Sequence, residues 1–283
     1  MLDKPMLNFI HISDTHIHAD PEFTGSHVDF TSRAAVAELI KQINAVEFDV
    51  DFVLHTGDIM TDPEKPEDYL IAKSILSEIR FPVHYLVGNH DRSRAVQEYL
   101  VGEPASTITE FHDYELEVNG VQIICLDSNP NAGGVHFGLL TNDQLDWLAE
   151  RLNPADSRPL VVAVHHHALP LGAPWLDGIV LKNGYKLHEL LLPVRDRLRG
   201  VFYGHIHENT VTVRQGISYY SVVSGWFQTR THYGQIEPGR DSLLREPGFN
   251  LVTLTEKDTF VRRYRFPLLI EQPIMMEQTI IAE

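Results

Sequence analysis

The sequence predicts an α/β protein built around two β-sheets. Up to Asp91 the chain alternates strand-like apolar runs with segments of helical periodicity, which is typical of a mainly parallel sheet. Asn119-Gly120 lies between two further strand-like runs, and this dipeptide predicts a β-hairpin that begins a second sheet. Polar residues follow several of the strands, where α/β proteins hold their functional groups.

Composition and charge exclude several classes of protein. The 283 residues are 43% hydrophobic and 22% charged, as in an ordinary globular domain with one large core. A net charge of -16 disfavours a nucleic-acid partner. Asp3 and Lys4 interrupt the position of a secretory signal, and no apolar run reaches membrane-spanning length. We therefore expect a cytoplasmic protein with no membrane partner, in which the single Cys125 is a buried strand residue.

The first predicted strand, Leu7–Ile12, ends in two candidate metal ligands. In an extended chain, residues two apart point to the same side, so Asp14 and His16 project together. A carboxylate with an imidazole suits a divalent transition metal. Thr31 and Ser32 then cap a predicted helix.

The next two predicted strands deliver more polar groups to the same edge. Asp51–Leu54 leads to Asp58, and a helix over 67–79 leads to the strand 81–87. Gly88-Asn89-His90-Asp91 follows, and its three polar residues suit a metal site or, in the plainer interpretation, a polar loop. The Asn89 carbonyl oxygen suits a hard cation, His90 can carry a proton, and Asp91 can orient that imidazole.

The second half of the chain repeats this arrangement. After a short helix over 93–100, the strands of the hairpin span 111–118 and 121–127, and Thr141 with Gln144 forms a capping box. The strand Leu160–Val164 ends in His165-His166-His167, where we expect one metal ligand with supporting partners. A helix over 185–198, disturbed by Pro193, leads to Gly204-His205-Ile206-His207, whose two histidines emerge on one side. Strands over 209–213, 217–223, 249–254 and 260–265 are expected to close the second sheet.

Together these strand ends supply more ligands than one tetrahedral ion needs, and a structural zinc site would favour cysteine. They fit two adjacent ions with Asp58 between them, which can activate a shared water and grip phosphate oxygens. Ligands without sulfur indicate manganese, iron or zinc. The candidate ligands are Asp14, His16, Asp58, Asn89, one of His165 to His167, His205 and His207.

The ordered motifs Asp14-x-His16, Gly57-Asp58, Gly88-Asn89-His90-Asp91, His165 and Gly204-His205-x-His207 resemble the calcineurin-like metallophosphoesterase superfamily. The resemblance implies a four-layer α/β/β/α sandwich with two mixed β-sheets. It also implies that His90 protonates or steadies the leaving oxygen, that Asp91 braces His90, and that His165 is the ligand of the triplet. The implied metal sites are Asp14, His16, Asp58 and His207 for one ion, and Asp58, Asn89, His165 and His205 for the other.

A narrower similarity runs from Leu7 to Arg265. His165 to Pro170, then Trp175-Leu176-Asp177, then residues 221–228 are similar to bacterial class III cyclic-nucleotide phosphodiesterases and related glycerophosphodiesterases. This implies a single domain over 1–266. The tail over 267–283 is expected to pack on that domain or on another subunit, which makes a homo-oligomer possible.

The resulting hypothesis is hydrolysis of a small phosphodiester, such as 3′,5′-cyclic AMP, by a metal-bridging hydroxide. The site would hold two metal ions, each of them Mn²⁺, Fe²⁺, Fe³⁺ or Zn²⁺. A glycerophosphodiesterase is one alternative, and a phosphomonoesterase that uses Arg92 or Arg94 is another. A metal-binding scaffold without catalysis is a third alternative. Asn183 and His188 are either substrate contacts or solvated loop residues.

Overall fold

A computed structural model of the chain describes residues 4–25, 28–61, 63, 65–130, 135–237 and 246–268. Its strands, in chain order, are β1 Leu7–Ile12, β2 Phe52–His55, β3 Val83–Tyr85, β4 Tyr114–Val118, β5 Val121–Leu126, β6 Leu160–Val164, β7 Leu198–Tyr203, β8 Val211–Arg214, β9 Ile217–Ser221, β10 Gly248–Leu254 and β11 Thr259–Arg265. Its helices are α1 Ser32–Asn44, α2 Tyr69–Leu76, α3 Ser93–Ala95, α4 Asn142–Arg151, α5 Pro174–Gly178 and α6 Gly184–Leu191.

The strands form two mixed sheets, as predicted. The first sheet has the order β11-β10-β1-β2-β3, and its β1, β2 and β3 are parallel. The second has the order β4-β5-β6-β7-β9-β8, in which β5, β6, β7 and β9 are parallel. Asn119 and Gly120 join β4 to β5 with φ angles of 52° and 77°, the positive values that a type I′ turn requires.

The prediction for the last two strands was wrong. β10 and β11 do not close the second sheet, because β10 pairs antiparallel with β1 and so extends the first. Phe249 and Leu251 of β10 pack on the helix side of that sheet, while Val252 and Leu254 face the other sheet. The sequence pattern identifies a hairpin, but both sheets have open edges, and the pattern does not indicate which one the hairpin joins.

Alternating side chains of the strands build a four-layer structure. Leu7 and Phe9 of β1 lie between the two sheets, whereas Ile10 and Ile12 pack against α1 and α2. The outer face of the second sheet packs in the same way against α4 and α6. Cys125 is fully buried between the sheets, as predicted. The layers therefore follow the order α/β/β/α, and the strand ends of both sheets point to a common edge.

Several element boundaries differ from the predicted ones. The helix predicted over 185–198 ends at Leu191, because Pro193 cannot continue it and Leu192–Val194 forms a 3₁₀ turn instead. The short helix α5, which contains Trp175, was not predicted. Beyond Leu268 the predicted tail lies outside the described residues. Within the described ranges, we find no helix with the length and apolar character needed to span a bilayer.

Candidate metal centre

The loops that follow five strands meet at one end of the two sheets. Backbone hydrogen bonds join the loops after β1 and β2, from Asp14 N to Gly57 O at 3.0 Å and from His16 N to Asp58 O at 3.0 Å. In the second sheet, Gly204 N donates to His165 O at 3.1 Å. All seven predicted ligand positions lie in this region: Asp14, His16, Asp58, Asn89, His165, His205 and His207.

Five of these residues have a strained backbone. Positive φ angles occur at Asp14 (55°), His16 (46°), Asp58 (51°), His205 (69°) and His207 (54°). In the described part of the chain, the other non-glycine residues with positive φ are Asn119 and Gln215, both in hairpin turns. This conformation is costly for residues with a Cβ atom, and it persists where the surrounding structure enforces it, often at functional sites.

The first group of candidate ligands is Asp14, His16 and His207. The Nε2 atoms of His16 and His207 are 3.1 Å apart, and His207 Nε2 lies 3.4 Å from Asp14 Oδ1. The Nδ1–H of His207 donates to Phe227 O at 2.8 Å, which leaves a lone pair on its Nε2. The Asp14 carboxylate also accepts the backbone N–H of His205 at 3.0 Å, so this residue joins the two sheets.

The second group surrounds His165. Its Nε2 lies 3.2 Å from Asn89 Oδ1 and 3.3 Å from Asp58 Oδ2, and its Nδ1–H donates to Thr56 O at 2.7 Å. Of the triplet, the structure therefore places His165 against Asp58 and Asn89. Asp58 Oδ2 is also 3.8 Å from His16 Nε2. Asp58 thus lies between the two groups, which is the position that a bridging ligand needs.

The electrostatics of the site suit cations. Burial alone would raise the pKa of Asp58, but His165, His90 and His16 outweigh it and hold that pKa well below the usual value. Burial lowers the pKa of His16 to about 3, so this imidazole is neutral. Burial also lowers the pKa of His165, yet the charges of Asp58 and Asp14 raise it to about 9. The carboxylates of Asp14 and Asp58 therefore attract a positive charge. Without a metal ion, the proton on His165 supplies that charge.

These donors fit a dinuclear metal site. Among the described residues, four sets of three side chains bring their ligand atoms within 4.8 Å of one another, and their members are Asp14, His16, Asp58, His90, His165, His166, His205 and His207. With the His165 proton displaced, as a bound ion requires, the donors would be carboxylates, neutral imidazoles and an amide oxygen, which suit borderline divalent ions. The carboxylates and imidazoles are buried, and backbone carbonyls accept one ring N–H each from His165 and His207, which turns the other nitrogen to the site.

His90 and Asp91 differ in their surroundings. The His90 ring lies 5.1 Å from the His16 ring and lines the cavity over the site. The Asp91 carboxylate accepts hydrogen bonds from the backbone N–H groups of Gly88, Ile59 and Met60, and so ties the loops after β2 and β3 together. Burial raises the pKa of Asp91 to about 6. That Asp91 also braces the imidazole of His90 stays a prediction.

A cavity of about 410 Å³ lies over the candidate ligands. A second cavity of similar volume, about 420 Å³, lies between α6 and β8, away from these ligands. The sequence motifs do not include His136, Ile179 or Thr229, because single residues in loops carry no spacing signal. Trp175 and Phe227 fall within segments that carry the family resemblance. The lining residues besides the candidate ligands are His90, His136, Trp175, Ile179, Phe227 and Thr229.

Four residues considered from the sequence lie elsewhere. Arg92 and Arg94 are exposed, and the Arg92 guanidinium donates to Pro63 O. Asn183 hydrogen-bonds to the backbone of Leu140, and the buried His188 bonds to Tyr219 Oη and Gln215 Oε1. These contacts assign structural roles to Asn183 and His188.

Gly204 provides a test of how closely the two sheets must approach. A Cβ atom at Gly204 would lie 1.8 Å from Ser13 Oγ and 2.7 Å from Asp14 Oδ2. We expect Gly204→Ala to displace Asp14 and to weaken metal binding by roughly 10–100-fold. Gly178→Ala is the matched control, because nothing lies within 4 Å of its added Cβ atom. Metal titration of both variants measures the effect, and equal affinities in the two would contradict this arrangement.

Comparisons with a family profile and with individual proteins indicate the same family. The profile of the calcineurin-like phosphoesterases matches residues 7–209. The 3′,5′-cyclic adenosine monophosphate phosphodiesterase CpdA of Haemophilus influenzae is 31% identical over 206 residues, which cover 73% of this chain and 72% of that protein. The glycerophosphodiester phosphodiesterase GpdQ of Enterobacter lignolyticus is 30% identical over 204 residues, which cover 71% of each.

The fold is also that of solved structures. A dimetal phosphatase from Danio rerio matches with a TM-score of 0.61 and 14% identity, covering 92% of this chain and all of that one. This likeness concerns the fold alone. The profile match, the two relatives and the arrangement of the strand-end residues agree, and the chain belongs to the calcineurin-like phosphoesterase family.

Proposed function

We propose that this protein is a dinuclear metal-dependent phosphodiesterase that hydrolyses a small phosphodiester such as 3′,5′-cyclic AMP. The observation that carries the proposal is the position of Asp58, whose Oδ2 lies 3.3 Å from His165 Nε2 and 3.8 Å from His16 Nε2. In this proposal Asp14, His16, Asp58 and His207 hold one ion, and Asp58, Asn89, His165 and His205 hold the other. The metal identity is drawn from manganese, iron and zinc.

The bound ions would supply Lewis acidity that activates water and offsets charge on the phosphoryl oxygens. The protein fixes the geometry around them. Phe227 O, Ile179 O and Thr56 O accept the N–H groups of His207, His205 and His165, so the opposite ring nitrogens face the site. His90, at the cavity wall, holds the proton that the departing oxygen needs. Asp91 keeps the His90 loop in place through Gly88.

The cavity favours a diester over a monoester. Among the described residues that line it, there is no lysine or arginine to neutralise the second charge of a monoester dianion. We expect kcat/KM for bis(4-nitrophenyl) phosphate to exceed that for 4-nitrophenyl phosphate by about tenfold or more. Steady-state kinetics on both substrates test this, and a preference for the monoester would favour the phosphomonoesterase alternative.

Its apolar wall bears on which diester is used. Trp175, Ile179 and Phe227 lie beside the metal-ligand positions, and their surfaces suit a planar group such as a nucleobase. The relative GpdQ, at 30% identity, makes a glycerophosphodiester the second candidate substrate. Trp175→Ala should lower kcat/KM for cyclic AMP by roughly 5–100-fold if the base stacks on the indole. The same variant should change glycerophosphoethanolamine turnover much less, and equal losses on both substrates would contradict stacking.

The remaining expectations from the sequence stay predictions. They are the cytoplasmic location, the absence of nucleic-acid and membrane partners, the single domain over 1–266, and a homo-oligomer formed with help of the tail.

A further inference from the structure

His166, the second histidine of the triplet, has an unusual environment. It is fully buried, and its Nδ1 lies 2.7 Å from Ser128 Oγ. A Cβ atom on Gly138 would lie 2.6 Å from the His166 ring, so the bare backbone of that glycine packs against it. The ring is therefore held in one orientation. Its other nitrogen, Nε2, is buried and has no hydrogen-bond partner among the described residues.

An orphaned ring nitrogen of this kind needs an explanation. Leaving a buried polar atom unpaired is unfavourable, and native proteins contain few such atoms. A neutral imidazole has one N–H and one lone pair, and when Nδ1–H donates to Ser128 Oγ the lone pair is on Nε2. A bound cation would satisfy that lone pair.

The neighbours of His166 are candidate ligands of the second ion. Its ring centroid lies 4.5 Å from that of His205 and 4.9 Å from that of His165. One ligand atom from each of the three rings lies within 4.8 Å of the other two, a separation that atoms bound to one ion can have.

His166 also shares the hydrogen-bonding pattern of the other candidate ligands. In His165 and His205 one ring nitrogen bonds to a backbone carbonyl and the other is left for the site. In the tautomer that a metal-binding Nε2 requires, Nδ1–H of His166 donates to the Ser128 hydroxyl oxygen, which then takes the place of the carbonyl. This arrangement, in which a partner fixes one nitrogen of a metal-binding imidazole, is general.

We propose that His166 supplies a third imidazole, through Nε2, to the ion bound by Asp58, Asn89, His165 and His205. The inference rests on the proposed dinuclear site and adds a ligand that the family motifs do not contain. A site with three imidazoles prefers zinc or iron to magnesium, whose usual ligands are oxygen atoms.

The test uses the full chain and Co²⁺ as the probe. His166→Asn keeps an amide nitrogen near the position of Nδ1, and so the Ser128 contact, but removes Nε2. His166→Gln places a polar atom near Nε2 instead. Calorimetric titration should give two Co²⁺ per wild-type chain. In His166→Asn the second ion should bind roughly 10–100-fold more weakly, while the first is unchanged, and His166→Gln should lie between the two.

His167 offers a matched control. It is equally buried, its Nε2–H donates to Leu176 O at 3.1 Å, and its Nδ1 is also unpaired among the described residues, but it belongs to none of the metal-compatible sets. His167→Gln keeps the bond to Leu176 O and should bind the second Co²⁺ within about twofold of wild type. X-ray absorption of the Co²⁺ protein should show fewer imidazoles in His166→Asn than in His167→Gln.

Unchanged affinity for the second ion in His166→Asn would overturn the inference while leaving the proposed function intact. If circular dichroism shows that His166→Asn is unfolded, Ser128→Ala is the second variant. This variant releases the His166 ring and should also weaken binding of the second Co²⁺ ion. Wild-type affinity for that ion in Ser128→Ala would then overturn the inference. A wild-type chain that binds fewer than two Co²⁺ ions would instead reject the dinuclear site itself.

Discussion

Asp58→Ala is expected to lower kcat for bis(4-nitrophenyl) phosphate by about 10³-fold or more. Its Oδ2 lies between His16 and His165, so the substitution removes a ligand from both proposed ions at once. A metal ion contributes several kcal/mol to catalysis of this kind, and about 1.4 kcal/mol corresponds to each factor of ten in rate. The variant also loses the hydrogen bond that Asp58 Oδ1 accepts from His90 N at 2.9 Å.

Asn89→Ala tests the contribution of the second ion separately from that of the first. Asn89 Oδ1 lies 3.2 Å from His165 Nε2 and is assigned to the second ion alone, so this variant should lose the second ion and keep the first. Asp143→Ala is the acidic control, because Asp143 is exposed in the first turn of α4. Steady-state kinetics and urea unfolding of all three variants measure the effect. Near-normal turnover in folded Asp58→Ala or Asn89→Ala would contradict the ligand assignment.

His90→Ala should affect turnover in a way that depends on the leaving group. If His90 donates a proton to the departing oxygen, its loss should cost roughly 10²–10⁴-fold with cyclic AMP, whose leaving group is a strongly basic ribose alkoxide. The loss should be much smaller with bis(4-nitrophenyl) phosphate, because nitrophenolate departs without a proton. The metal content should not change, since we assign no ligand role to His90.

His18→Ala is the control for this experiment. The His18 ring stacks on Phe23 at 3.9 Å and is absent from the described cavity lining. Kinetics with both diesters give the ratio of effects. Equal losses on the two substrates would mean that His90 positions the substrate and does not transfer a proton.

Local signals in the sequence predicted much of the fold. The run Leu7–Ile12 matches β1 at both ends, because it is mostly apolar, is buried on both faces and is followed by Ser13-Asp14. Thr31 caps α1 and accepts from Ala34 N at 3.1 Å. The capping box of Thr141 and Gln144 is present as predicted. In each case the information lies within a few consecutive residues.

The sequence does not contain the signals for the remaining features. β10 joins the first sheet through pairing with β1, across more than 230 residues of chain, and a hairpin pattern does not specify such a partner. The acceptors that orient His165, His205 and His207 are backbone carbonyls, which every residue has. The strained backbone at the site depends on loops that meet only in the folded chain.

The number of metal ions per chain tests the central claim most directly. Elemental analysis of the purified protein, or of protein stripped with a chelator and then titrated with Mn²⁺ or Zn²⁺, should give two ions per wild-type chain and one in Asn89→Ala. Diesterase activity should disappear with the ions and return with them. A chain that holds no metal, or that keeps full activity in every chelator, would contradict this account.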